Sequence, residues 1–166
     1  MPLRSSPESI PQKIRDAAYR LLAVRAYSAG ELRRRLKYKF KSNNSEIIEE
    51  IIVDLQTKGY LNDEEFARQL AREKRDSSAW GPGRIRRELR ARDINPDLTE
   101  QVVIETFAGI DQVETLMPVA LKRWHLAEGL PAESRKIRLS GFLQRRGYGW
   151  DVINRVIEQC MGIENT

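Results

Sequence analysis

Apolar residues recur along this chain at spacings of three and four, the period of a helix with one buried face, in nine successive runs. Ile14, Ala17, Ala18, Leu21 and Leu22 form the first. Ser28 then stands as an N-cap with Glu31 at the third helical position, the pattern of a capping box, so a second helix is predicted from about Ala29 through Leu32, Leu36 and Phe40. Lys41 to Ser45 is turn-forming and offers Ser45 as the next N-cap, ahead of Ile47, Ile48, Ile51, Ile52 and Leu55. Lys58-Gly59 closes that third helix with a cation and a left-handed residue.

Asn62 caps a fourth helix whose first turn carries Asp63, Glu64 and Glu65, acids stabilised there by the helix dipole, and whose inward face is Phe66, Leu70 and the stem of Lys74. Gly81-Pro82-Gly83 must interrupt the chain and start a fifth helix at Gly83 or Arg84, with Ile85 and Leu89 buried. Asn95-Pro96 opens a sixth through Leu98, Val102, Val103 and Phe107. Asp111 caps a seventh through Leu116, Ala120, Leu121 and Trp124, with Pro118 inside it as a potential kink. An eighth helix from about Ala132 to Arg146 ends at Gly147, and the ninth uses Trp150, Val152, Ile153, Val156, Ile157 and Cys160. No stretch carries a convincing strand pattern.

These runs repeat. Tyr27 to Leu36 aligns without gaps on Trp80 to Leu89 at an offset of 53, matching Gly30 with Gly83, Arg33 with Arg86, Arg34 with Arg87 and Leu36 with Leu89. A further offset of 54 brings Leu139 and Leu143 to the places of Ile85 and Leu89, and Val152, Val156 and Ile157 to those of Leu98, Val102 and Val103. The expected fold is all-α, three tandem three-helix repeats in an elongated, curved array, because a trio of helices is too small to bury a large core alone. The expected divisions are a mobile tail at residues 1–9 and repeats at 10–61, 62–109 and 110–166.

Charge sharpens this picture. A net charge of +5 favours acidic partners. Residues 33–41 carry six bases and no acid, whereas residues 46–65 carry seven acids against Lys58 alone. Five arginines crowd between Arg84 and Arg92. If Ile85 and Leu89 face the core, Arg87 points directly away, Arg84 and Arg90 obliquely outward, Arg86 lies on a flank and Arg92 returns toward the buried edge. Bases therefore concentrate on the second helix of each trio, predicting a discontinuous basic track: Arg33, Arg34 and Lys37, then Arg84, Arg86, Arg87 and Arg90, then Arg138 and Arg145. No apolar run approaches the roughly 18 residues of a membrane span, and residues 1–9 hold no secretory h-region. One cysteine, Cys160, makes no internal disulfide, which fits a reducing cytoplasm.

Catalysis finds little support. His125 is the only histidine and Cys160 the only cysteine, which leaves no histidine-rich zinc pattern. Gly81-Pro82-Gly83 lacks the Gly-Lys-Ser/Thr ending of a phosphate loop. Glu49, Glu50 and Asp54 could hold Mg²⁺ in principle, but adjacent glutamates on a helix diverge by about 100°. No metal, cofactor or turnover is expected.

Four phrases carry a family resemblance: Tyr-Ser-x-x-Glu-Leu-x-x-x-Leu at 27–36, Gly-Tyr-Leu-Asn-Asp at 59–63, Gly-Pro-x-Arg-Ile-x-x-Glu-Leu at 81–89 and Phe-Leu-x-x-Arg-Gly-Tyr at 142–148. Together and in this order they resemble the RecX family over about residues 14–160. Trp80 replaces a usual tyrosine, and Asp93 a usual glycine that would end the fifth helix. The resemblance implies a cytoplasmic bacterial protein; a monomer without enzymatic activity is expected. It would bind filaments of the recombinase RecA on single-stranded DNA, in the groove or at the growing end, and inhibit strand exchange, ATP hydrolysis and co-protease activity, with weaker affinity for DNA itself. The basic track would then meet RecA carboxylates or DNA phosphates. The plainer account is a solvated face balanced by third-helix acids of a neighbouring repeat. Trp80, Trp124 and Trp150 are expected to pack in the core or between repeats, with base stacking as the other use of such rings. Two further readings remain open: a helix-turn-helix regulator with the fifth helix in the major groove, and a general nucleic-acid accessory protein with no RecA partner. The absence of Asn or Gln among the fifth helix's outward residues argues against the first.

Overall fold

A computed structural model describes residues 9–40 and 44–164, and among these it contains nine α-helices and no strand. They are α1 (Ile10–Val24), α2 (Ala29–Phe40), α3 (Ser45–Thr57), α4 (Asp63–Ser78), α5 (Pro82–Ala91), α6 (Pro96–Phe107), α7 (Gln112–His125), α8 (Ala132–Arg145) and α9 (Trp150–Glu164). The tail expected at residues 1–9 lies, apart from Ser9, outside the described residues, as does most of the Lys41–Ser45 turn.

Helix starts follow their chemistry. The Glu31 amide donates to Ser28 Oγ at 3.0 Å, the Glu65 amide to Asn62 Oδ1 at 3.0 Å and the Val113 amide to Asp111 Oδ1 at 2.8 Å, three N-caps at the positions expected. Two starts differ. Ser45 is not the N-cap of α3 but its first residue; Asn44 precedes it and turns its amide back to the Phe40 carbonyl at 2.8 Å. The fifth helix begins at Pro82, not at Gly83 or Arg84, since proline lacks the amide hydrogen that would go unused there and already holds a helical φ. Pro118 sits inside α7 on its exposed side without ending it.

By compactness the chain divides into two units, residues 1–67 with 91–95 and residues 68–90 with 96–166. The core of the first is built by Ile14, Ala17 and Ala18 of α1, Leu32 and Leu36 of α2, and Ile48, Ile51, Ile52 and Leu55 of α3. Each fully buried Leu or Ile contributes about 1.5–3 kcal/mol, so this trio holds together on its aliphatic seam. In the second unit α7, α8 and α9 close on Val113, Leu116, Ala120 and Trp124, on Leu139 and Leu143, and on Val152, Ile153, Val156 and Cys160. The middle trio is leaner. α4 buries only Ala67 and Ala71, while Phe66, Leu70 and Lys74 are half-buried; α5 contributes Ile85 and Leu89, and α6 Thr99, Val102, Val103 and Thr106. The two alanines were not legible as the core positions of α4 because bulkier neighbours dominate its apolar pattern.

The tryptophans part company. Trp124 is fully buried, its ring covered by the Arg135 guanidinium 4.1 Å from the centroid. Trp80 is half-buried between Lys74 and Arg84. Trp150, expected in the core or between repeats, is instead 57% exposed: as the first residue of α9 it precedes the inward positions Val152 and Ile153.

Candidate functional site

The nine cations named from the sequence fall into three groups. Arg33 Nε lies 2.8 Å from both carboxylate oxygens of Glu49 on α3, and Lys37 Nζ lies 3.2 Å from the same group. Arg86 Nε lies 2.8 and 3.0 Å from the oxygens of Glu100 on α6, which Arg90 meets at 2.9 Å. Arg33 and Arg86 are repeat equivalents, as are Lys37 and Arg90, and Glu49 and Glu100. The same triad thus clamps the second helix to the third in two repeats. Charge balance of these cations is therefore local to each trio, not supplied by acids of a neighbouring repeat as the plainer account had it. Hydrogen bonds from Arg86 hold the Glu100 carboxyl below the ordinary glutamate range. At Glu49 partial burial pushes the other way, but the bonds from Arg33 and Lys37 outweigh it and the net shift is also downward.

A second group sits at backbone joints. In the first unit, Ser28 Oγ donates to the Arg92 carbonyl and Arg34 bonds Asp93 at 2.6 Å and the Ala91 carbonyl at 3.1 Å. Asp93 takes φ +58°, the left-handed conformation that the family's usual glycine would adopt freely, and its side chain occupies the space a Cβ at Gly30 would need. The second unit repeats this joint with glycines. The amides of Gly81 and Gly83 donate to the Arg146 and Gly147 carbonyls at 2.7 and 2.9 Å, Gly147 has φ +88°, and a Cβ at Gly81 or Gly83 would stand 2.9 Å from Gly147 backbone. Burial raises the phenol of Tyr148, which packs on Gly81, to about 12. Arg84 belongs here: its guanidinium lies 4.0 Å over the Trp80 ring and reaches the Arg145 carbonyl at 3.5 Å. Two of the family phrases, Gly-Pro-x-Arg and Arg-Gly-Tyr, are the two sides of one joint. Arg135 and Ile137 hold the places of Gly81 and Gly83 in the third repeat.

The third group is open. Arg87, Arg138 and Arg145 are exposed and meet no acid among the described residues. Arg138 and Arg145 line a groove of about 310 Å³ with Arg123, Leu126 and Ile137, the last two 71% and 64% exposed. Arg123 escaped the sequence reading because it belongs to α7, outside the basic track of second helices; only the packing of α7 against α8 brings it alongside. For a helix-turn-helix reader, α5 is poorly supplied: Arg86 and Arg90 are committed to Glu100, and Arg87 has no bidentate companion on the outward face. Among the described residues no three His, Cys, Asp or Glu groups converge on a metal site, and no helix is long and apolar enough to cross a membrane.

Comparison with known proteins bears on the repeats directly. The family model for the second three-helix domain of RecX matches residues 62–103, and that for the third matches residues 110–157. The chain belongs to the RecX family. It is 34% identical over 144 residues to the regulatory protein RecX of Trichlorobacter lovleyi, spanning 86% of this chain and 92% of that one. It is 32% identical over 153 residues to the regulatory protein RecX of Salmonella paratyphi A, spanning 87% and 89%. Its fold is similar to that of RecX from Lactobacillus salivarius in a crystal structure, with a TM-score of 0.77 at 21% identity over 90% of this chain and 96% of that one. A second RecX crystal structure gives 0.75 at 20% identity, over 89% and 71%. This chain builds its joint between the start of α5 and the end of α8 from glycine on both sides, and its joint at α2 from Ser28, Gly30 and a left-handed aspartate.

Proposed function

We propose that this RecX protein inhibits the recombinase RecA in the cytoplasm, acting as a monomer on filaments assembled on single-stranded DNA, through cations that the fold leaves unpaired. The observation that carries the reading is the sorting of arginines. Arg33, Lys37, Arg86 and Arg90 are consumed by Glu49 and Glu100, whereas Arg87, Arg138 and Arg145 meet no acid among the described residues, and Arg123, its guanidinium 5.2 Å over the Phe142 ring, joins the last two in one groove. Free guanidiniums beside exposed Leu126 and Ile137 suit a protein surface that offers acids next to apolar side chains, more than a phosphate chain alone. The contact set is accordingly narrower than the nine residues of the basic track.

Arg87→Glu and the pair Arg138→Glu with Arg145→Glu should each weaken inhibition of RecA ATP hydrolysis on single-stranded DNA by about tenfold, the effect of losing roughly 1.4 kcal/mol of binding. Their thermal melts should match the parent, since these side chains pair with no acid among the described residues. Undiminished inhibition by both variants would remove these residues from the interface. A pull-down with RecA at salt that releases the protein from naked DNA separates this reading from that of a general nucleic-acid accessory protein, because phosphate binding alone falls steeply with salt.

A further inference from the structure

The outward face of α2 carries a feature that the basic track did not include. Tyr38 is 91% exposed. The other tyrosines all have ring partners or burial: Tyr19 and Tyr60 meet edge to face at 5.4 Å, Tyr27 is buried under Arg25, and Tyr148 is buried. Tyr38 alone holds its ring in solvent, with no aromatic, cationic or hydrogen-bonding partner among the described residues. It stands in a groove of about 600 Å³ with Leu21, Glu31, Arg34, Arg35 and Lys39. Arg35 lies one helical turn before Tyr38 and Lys39 directly after it, both exposed and neither paired with an acid among the described residues. Arg34, a full turn back, is held in place by Asp93 and the Ala91 carbonyl. The one acid of the groove, Glu31, is occupied by Arg25 at 2.6 Å and Arg92 at 3.2 Å, so it repels an incoming anion little.

From this geometry we infer that the Arg35, Tyr38 and Lys39 face of α2 binds single-stranded nucleic acid, Tyr38 stacking on an unpaired base while Arg35 and Lys39 take the phosphates beside it. A flat, solvated ring flanked by cations is what a single strand requires, because every base offers a π-face and every linkage a charge. A duplex hides its base faces and could use only the cations. An acidic protein segment would likewise use the cations and leave the ring idle. Among the described residues Leu21 is the groove's only aliphatic lining residue, too little apolar surface to seat an amphipathic helix. The site rests on the proposed action upon filaments on single-stranded DNA, but it is measured without RecA.

The test is fluorescence anisotropy of a labelled oligo-dT with the full chain. Tyr38→Ala should weaken binding about tenfold and Tyr38→Trp should keep or tighten it, the span expected for one stacked base. Neither should move the melting temperature, since the ring is 91% exposed and has no ring or hydrogen-bonding partner among the described residues. Arg35→Gln with Lys39→Gln should flatten the dependence of log K on log salt by about 1.4, near 0.7 for each single-strand phosphate that is no longer neutralised. On a duplex of equal length Tyr38→Ala should have no effect. Arg87→Glu, which tests RecA inhibition, should bind oligo-dT within about twofold of the parent, so the two readings fail separately. The inference is overturned if Tyr38→Ala binds oligo-dT as the parent does, if it weakens duplex binding equally, or if polyglutamate displaces oligo-dT as readily as unlabelled oligo-dT does and Tyr38→Ala leaves polyglutamate binding unchanged.

Discussion

α5 and α8 hold equivalent places in consecutive repeats and bury equivalent residues, Ile85 and Leu89 in one, Leu139 and Leu143 in the other, yet they use charge in opposite ways. On α5 two arginines are drawn sideways onto Glu100 of α6. On α8 the same two places are Ser140 and Gln144, the acid's place on α9 is Asn154, and Arg138 and Arg145 meet no acid among the described residues. α2 follows α5, with Arg33, Lys37 and Glu49. An arginine's position on a helix therefore says little about its role until the neighbouring helix is known. Two repeats use their cations to hold one helix on the next; the third packs through Trp124, the Arg135 guanidinium over its ring and the α9 aliphatics, and leaves Arg138 and Arg145 exposed.

The strongest way to break this comparison is at the joint where the start of α5 meets the end of α8. Gly147→Ala should cost at least about 3 kcal/mol, because it combines a positive φ with a Cβ driven into the Arg84 amide. Gly129→Ala, at φ +86° with nothing within 4 Å, should cost only about 1 kcal/mol. Urea unfolding distinguishes the two, and equal losses would mean that the joint contributes nothing beyond backbone strain.

Smaller effects separate the charged faces. Arg90→Glu should lower the melting temperature by setting a second carboxylate against Glu100, and about 1 M NaCl should restore much of the loss; Arg145→Glu on α8 should stay within about 0.5 kcal/mol of the parent at any salt. Moving the clamp is the sharper experiment. Ser140 and Asn154 line one groove, so Ser140→Arg with Asn154→Glu should gain roughly 0.5 kcal/mol, a coupling measurable by a double-mutant cycle. Least in size is the pH dependence. Glu49 and Glu100 have carboxyls held below their ordinary value of 4.5, so their contribution is complete above that pH and is lost as pH falls through the lower folded values. Glu100→Gln should make stability fall less steeply below pH 4.5, and Asn154→Asp should make no such change.

Much of the fold could be read in advance because its signals are local. Ser28, Asn62 and Asp111 cap the next turn of their own backbone, Gly59 and Gly147 take left-handed φ where helices stop, and the wheel of α5 follows from the spacing of Ile85 and Leu89 alone. Sequence and structure part where burial depends on how a helix meets neighbours distant in sequence. Trp150 reads as core by hydrophobicity and lies at the exposed start of its helix; Phe66, Leu70 and Lys74 read as the inward face of α4, and Ala67 and Ala71 are what it buries. For the candidate site, counting bases found the helices that carry charge but not the side chains left free, and it passed over Arg123 and Tyr38.

By itself, the sequence determined the nine helices of the described residues, the N-caps Ser28, Asn62 and Asp111, the repeat, the family and the supply of arginines, since each depends on spacings within about ten residues or on a pattern that recurs. Only the tertiary structure decided which arginines are spent on Glu49 and Glu100, that Gly81, Gly83 and Gly147 form the two sides of one joint, and that Tyr38 is left bare. These are properties of pairs of surfaces, and an ion pair or a close backbone approach exists only once packing has brought both partners within a few ångströms.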